Sequence, residues 1–347
     1  MGRSSPRPRD AGHGRCRRAR SGRAGASRRP DGSTAALARP AWPGPRRSRP
    51  PAPPPAGWRP RARPTSVRRP RLDGGNAAAA WSGLCGKRPR PVTAALLQLL
   101  AFPALRDNLI WALVDADGGA MVVDPGAFPP LTAALDAGLR PTAILLTHHH
   151  ADHVDGALAL AERSGAPLFG PADARLPAAV RPLSAGTHRL PGGWAVEVLA
   201  VPGHTRSHLA FHVAGHLFCG DTLFSLGCGR LFEGSPAQML DALDRLSALP
   251  EATAVCCGHE YTLANARFAA VVEPDNPARE AWVAEARRRL AAGRPSLPST
   301  LAIERAANPF LRVDVPAIRR RLAEASHAAD DRLAAFTALR AWKDGFA

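Results

Sequence analysis

The stretch Thr147-His148-His149-His150-Ala151-Asp152-His153 crowds imidazoles and a carboxylate into a single short loop. His148 and His150 alternate by two, so a short extended backbone points both side chains to one side. Asp152 and His153 are adjacent, their side chains diverge, and they suit a second centre better than the first. Clustered imidazoles are most often used to hold metal. A merely solvated loop is normally built from Gly, Ser, Asn, Asp and Pro instead. Three further ligand types stand in short turns: His204 in Pro202-Gly203-His204-Thr205, Asp221 in Gly220-Asp221-Thr222, and His259 in Gly258-His259-Glu260. Sorted by geometry, His148, His150 and His204 with Asp221 make one site, and Asp152, His153 and His259 with Asp221 a second. The two oxygens of Asp221 allow it to bridge two divalent cations, which in such sites sit about 3.5–4 Å apart. Imidazole and carboxylate without thiolate suit Zn²⁺ first, with Fe or Mn as alternatives. His149 is expected to point away to solvent, and His208 to support a ligand from behind. Cys219 and Cys228 are read as packing residues.

The elements that must position these groups follow from hydrophobic runs. Ala143–Leu146, Trp194–Val201, His216–Cys219 and Thr253–Cys257 read as strands, and each finishes in a turn carrying His148, His204, Asp221 or His259 respectively. Sites in layered α/β folds gather at one end of the strands in this way. Two strands at 95–102 and 108–114 and a third over Ala120–Val123, with a hairpin turn at Asp117-Gly118-Gly119, precede them. Helices are predicted over Phe128–Ala137, closed by Gly138, over Ala157–Arg163 and over Pro236–Leu249. From about Phe268 the texture is helical, with segments over Ala281–Leu290, Pro316–Ser326 and Asp330–Lys343.

Net charge separates the chain into two parts. Residues 1–92 hold 23 Lys/Arg against 3 Asp/Glu, whereas the remainder holds 23 against 26, so the formal +17 of the 347-residue chain belongs to its first quarter. That first segment is rich in Arg, Pro, Gly, Ser and Ala and has no core-forming pattern, which predicts disorder. A nucleic-acid arm, a transit peptide and a start codon placed too far upstream are its three readings, the last favoured. The acidic body, without basic–aromatic interleaving, argues against a nucleic-acid partner. No apolar run reaches membrane-spanning length. Six cysteines without a CxxC pair fit a reducing compartment, hence a cytoplasmic protein.

The Thr147–His153 loop resembles the THxHxDH signature of the metallo-β-lactamase fold. Further stretches narrow the likeness: Cys219–Phe224, Cys228–Gly234, Cys257–Thr262, Val272-Glu273-Pro274, Pro298–Leu301 and Asn308–Arg312 resemble the glyoxalase II (hydroxyacylglutathione hydrolase) family from about residue 96 to the end. The resemblance implies an α/β (α+β) architecture: a four-layer αββα sandwich over 93–262 and a C-terminal helical, substrate-binding domain over 263–347. It implies a dinuclear site with the ligands sorted above, and hydrolysis of the thioester S-D-lactoylglutathione to D-lactate and glutathione. A hydroxide bridging the cations would attack the carbonyl, with Asp152 orienting it. Glutathione's carboxylates would be met by Arg340 and Lys343, which share one helix face at i, i+3. Tyr261 matches a glutathione-contacting position, and Arg230 and Phe232 stand where the family usually has Lys and Tyr. A monomer is expected. The alternatives are another thioesterase or lactonase of the same fold, a glutathione persulfide dioxygenase, and a nucleic-acid-processing member of the superfamily.

Overall fold

The computed structural model describes residues 97–326 and 330–346. The basic segment 1–92 lies outside them. The first half-sandwich begins with an antiparallel meander of β1 (Gln98–Ala104), β2 (Asn108–Val114) and β3 (Gly119–Val123). A turn of 3₁₀ helix at Pro129–Leu131 and α1 (Thr132–Asp136) then cross to β4 (Arg140–Leu145), which runs parallel to β3. After α2 (Ala151–Val154) and α3 (Ala157–Ser164), β5 (Leu168–Gly170) and β6 (Arg181–Pro182) complete a six-stranded sheet ordered β1-β2-β3-β4-β5-β6.

The second half-sandwich contains β7 (Gly186–Leu190), β8 (Trp194–Ala200), β9 (Leu209–Val213) and β10 (His216–Gly220). A small hairpin of β11 (Leu223–Phe224) and β12 (Gly227–Cys228) leads to α4 (Pro236–Ser247) and β13 (Ala254–Cys257). Beyond it lie α5 (Thr262–Val272), α6 (Pro277–Ala291), β14 (Ser299–Thr300), α7 (Leu301–Ala307), α8 (Pro316–Glu324) and α9 (Arg332–Asp344). The second sheet is ordered β14-β13-β10-β9-β8-β7, so the segment after residue 262 is helical except for one short strand that it lends to this sheet.

Alternation within β2 shows why the strands stack in layers. Leu109, Trp111 and Leu113 join the core between the sheets, while Ile110, Ala112 and Val114 join the core under the helices of the first half. A strand buried on both faces reads as one continuous apolar run, and β2 does. On the far side α4 buries Met239, Leu240, Leu243 and Leu246, each contributing about 1.5–3 kcal/mol. Its start is marked by a reciprocal Ser235–Gln238 capping box and by Pro236 at the first position. Since β8 and β10 each run antiparallel to β9, and β10 runs parallel to β13, the ends of β8, β10 and β13 emerge on one edge.

Three differences from the sequence expectations have physical reasons. The helix over 128–137 is broken into a 3₁₀ turn, where the Leu131 amide closes an i→i+3 bond to the Phe128 carbonyl at 3.0 Å, and one short α-helix. β1 extends through Pro103, which an edge strand tolerates. β7 carries Thr187, His188 and Arg189 on an exposed sheet edge, so it lacks the apolar signal of a strand.

Trp111 ties the layers together below the site: its indole Nε1 donates to the carbonyl of Cys257 at 2.9 Å. Trp111→Phe leaves that buried carbonyl without its partner, a cost of about 1–3 kcal/mol. The midpoint of thermal unfolding should fall by roughly 2–10 °C in a domain of this size, read by circular dichroism. An unchanged midpoint would show that the contact contributes nothing.

Candidate metal centre

The ligand-type side chains named from the sequence converge where the four strands end. His148 and His150 follow β4, His204 follows β8, Asp221 follows β10, and His259 follows β13. Nε2 of His204 is 3.0 Å from Nδ1 of His150, and the His148 ring is centred 4.6 Å from His150 and 5.1 Å from His204. Beside this group, Nε2 of His153 and Nε2 of His259 are 3.3 Å apart, and Oδ2 of Asp152 is 3.6 Å from the first and 3.4 Å from the second. Asp221 lies between the groups. Its Oδ1 is 3.4 Å from Nε2 of His153, and its Oδ2 is 3.4 Å from Nε2 of both His204 and His259.

Two polar atoms test whether cations fit here. His148 Nε2 and Asp221 Oδ1 are buried without a hydrogen-bond partner, and such an orphaned group costs about 1–3 kcal/mol when nothing compensates it. Lone pairs aimed at common points by histidines and carboxylates are what a divalent cation requires, so the residues present fit the group.

Four of the imidazoles are held from behind. Asp124 Oδ2 accepts from Nδ1 of His153 at 3.0 Å and from the Thr147 hydroxyl at 2.7 Å, and that hydroxyl faces Nδ1 of His148 at 3.0 Å. Asp107 Oδ1 stands 2.8 Å from Nδ1 of His259, and the Arg230 carbonyl 2.8 Å from Nδ1 of His204. These acceptors engage Nδ1 and turn Nε2 inward. His150 is the exception and turns Nδ1 inward. Asn108 donates to Oδ2 of Asp152 at 2.9 Å. His208 stacks on His148 with centroids 4.7 Å apart and faces the amide of Asp221 at 3.2 Å through Nε2, in line with its expected supporting place.

The charges follow from this packing. Burial and the surrounding imidazoles push His148 well below the usual histidine range, and burial with His204 lowers His150 to about 4. Burial also disfavours charge on His153, but Asp221 and Asp124 outweigh it and raise the ring to about 9. Asp221 is likewise buried, yet His153, His259 and His204 hold it well below the usual carboxylate range, so it stays ionised. The close approach depends on glycine. A Cβ at Gly258 would sit 2.6 Å from the His153 ring and 2.7 Å from Asp221 Oδ1.

Arg230, Phe232, Tyr261, Arg340 and Lys343 line one cavity of about 420 Å³ together with His204 and Asp221. Tyr261 stacks on the His259 ring at 4.7 Å, and Phe232 packs against the rings of His204 and His150 while remaining largely exposed. Arg340 is buried, and Lys343 lies near the rings of Phe268 and Phe346.

His149 departs from its expected place at the solvent. It lies 3.5 Å from Asp173 and 3.7 Å from Glu233 with 11% of its side chain exposed, because two carboxylates from distant loops close over it. Asp107, Asn108 and Asp124 support the ligands without a clustered motif to mark them in the sequence, and Thr147 does so from the start of the histidine loop. The signal for Asp124 was available, since it ends β3 as Asp221 ends β10.

Residues 109–259 match the metallo-β-lactamase superfamily, and residues 260–346 match the hydroxyacylglutathione hydrolase C-terminus. A hydroxyacylglutathione hydrolase from Xanthomonas axonopodis pv. citri is 52% identical over 253 residues, covering 72% of this chain and 99% of the relative. One from Chromohalobacter salexigens is 49% identical over 256 residues, covering 72% of this chain and 100% of the relative. Among solved structures, ETHE1 from Myxococcus xanthus is 25% identical with a TM-score of 0.47, covering 72% of this chain and 99% of that one.

Asp124→Ala removes the acceptor that orients His153 and, through Thr147, His148. Losing such an outer partner should weaken metal binding about 10–100-fold, measured by competition with a chromophoric chelator. Affinity equal to that of the unsubstituted protein would show that the ligands orient themselves.

Proposed function

The chain belongs to the hydroxyacylglutathione hydrolase family of the metallo-β-lactamase superfamily, and on that premise we propose how its own residues serve the reaction. It is a metal-dependent hydrolase of a glutathione thioester: water adds to the thioester carbonyl, the C–S bond breaks, and S-D-lactoylglutathione gives D-lactate and glutathione. The observation that carries this reading is the placement of Asp221, whose carboxylate reaches both imidazole groups at the wall of a cavity rich in cations.

His148, His150, His204 and Asp221 would hold one divalent cation, and Asp152, His153, His259 and Asp221 a second, with zinc the first choice and iron or manganese the alternatives. Cations held there supply a nucleophilic oxygen near neutral pH and a Lewis acid for the carbonyl. Asp152, held by Asn108, faces the space between His153 and His259 and orients the attacking oxygen. The thiolate is a good leaving group, so no strong protein acid is needed. Burial, with Asp107 and Asp221, raises the Tyr261 phenol, which therefore stays protonated and available as a donor to the peptide part of the substrate. Arg340 and Lys343 meet the glutathione carboxylates. Arg230 keeps the positive charge usual at its position in a planar form, and Phe232 offers a ring face without a hydroxyl.

The two family matches meet at residues 259 and 260, which supports a catalytic domain over 93–262 and a helical substrate-binding domain over 263–347. Among the described residues no helix is long and apolar enough to cross a membrane. Four buried free thiols suit a reducing compartment. We place the protein in the cytoplasm, acting as a monomer without a nucleic-acid partner.

Contacts to the glutathione carboxylates are made alike in ground and transition states, so they govern KM and leave kcat little changed. Each charge-assisted contact is worth about 1.5–3 kcal/mol. Lys343→Ala should therefore raise KM for S-D-lactoylglutathione roughly ten- to a hundred-fold. Steady-state kinetics, with a short-chain thioester lacking carboxylates as control, tests this. Equal losses on both substrates would remove Lys343 from substrate binding.

A further inference from the structure

A carboxylate of the chain itself stands against the cations of the cavity. Asp344, at the end of α9, accepts from Nη2 of Arg340 at 2.8 Å and lies 3.6 Å from Nε of Arg230. Arg340 is otherwise built in. Its Nη1 donates to the Cys228 carbonyl at 2.8 Å, its guanidinium lies 5.1 Å from the Phe310 centroid, and the residue is 4% exposed. Its Nε, however, is buried without a hydrogen-bond partner.

Nε and Nη2 form the side-on edge of a guanidinium, which a carboxylate can take with two parallel bonds. Asp344 holds half of that edge and leaves the other half unmatched, an arrangement short of the best pairing the group can make. Lys343 is the neighbour of Asp344 in sequence, and burial together with Arg340, Arg267 and Arg230 lowers its pKa. The cations thus repel one another, and Asp344 offsets part of that repulsion.

We infer that Asp344 is a specificity-determining residue, an internal counter-ion that competes with an incoming substrate carboxylate for Arg340 and Arg230. Binding then exchanges one carboxylate for another at the same cations. This rests on the reading that the cavity receives a glutathione thioester. Substrate and the glutathione product carry the same two carboxylates, so Asp344 weakens both by the same factor and keeps the product from lingering.

Asp344→Asn keeps the shape and removes the charge. KM for S-D-lactoylglutathione should fall about three- to ten-fold, the range of a modest charge contact. Inhibition by glutathione should tighten by the same factor, and KM for a short-chain thioester without carboxylates should stay unchanged. Asp344→Ala should move KM in the same direction. A KM for the glutathione thioester that is unchanged or raised in both variants would overturn the inference, a rise meaning that Asp344 orients the arginines for substrate. Turnover of S-D-lactoylglutathione by the unsubstituted protein separately tests the functional reading. Calorimetric binding of glutathione to the unsubstituted and Asp344→Asn proteins reads the competition without relying on turnover.

Discussion

A buried carboxylate among imidazoles is the constraint on which the rest of this molecule depends. Asp221 is 7% exposed and remains ionised because His153, His204 and His259 surround it. An isolated charge at that depth would cost far more than a domain's net stability. The imidazoles in turn come from the ends of separate strands, so both sheets must form and close before the charge of Asp221 is fully compensated. That requirement links the site to the fold. The glycines at 220 and 258 belong to the same constraint. Gly220 has φ +47°, and a Cβ there would lie 2.4 Å from the Thr147 hydroxyl.

The C-terminal helices take part in the same structure through the hairpin that follows Asp221. Glu304 accepts from the amide of Leu226 at 2.8 Å and holds it in a left-handed conformation of φ +57° that leucine rarely adopts. Asn308 donates to the carbonyls of Phe224 and Gly227, Asn265 to that of Ser225, and Arg340 to that of Cys228. Trp282 donates to the Ser225 hydroxyl. The cavity wall is therefore made by one segment and fastened by another. This gives a physical reason for Arg340 to face the cavity: one side of its guanidinium anchors the hairpin at Cys228 while the other bonds Asp344.

The parts of this arrangement legible in the sequence are those that announce themselves locally. His148, His150, His204, Asp221 and His259 each stand in a short turn after an apolar strand, and side-chain chemistry plus strand ends sufficed to group them. The strands of the two cores were legible for the same reason, being runs with one period. What was not legible came from pairs distant in the chain. Asp107 reaches His259 across 152 residues, and His149 turns inward only because Asp173 and Glu233 arrive from other loops. β7 and β14 are strands by pairing rather than by apolar content, and no periodicity marks them. Asp344 carries no local signal, and only its distance to Arg340 sets it apart from other acids at helix ends.

Service of two cations by the one carboxylate of Asp221 is what the proposed function requires. Metal analysis of the purified protein beside its Asp221→Ala and His259→Ala variants tests it most directly, after equilibration with zinc and removal of unbound ions. About two ions per chain are expected in the unsubstituted protein, with loss of one in His259→Ala and loss of both in Asp221→Ala. Two ions retained in Asp221→Ala would contradict it.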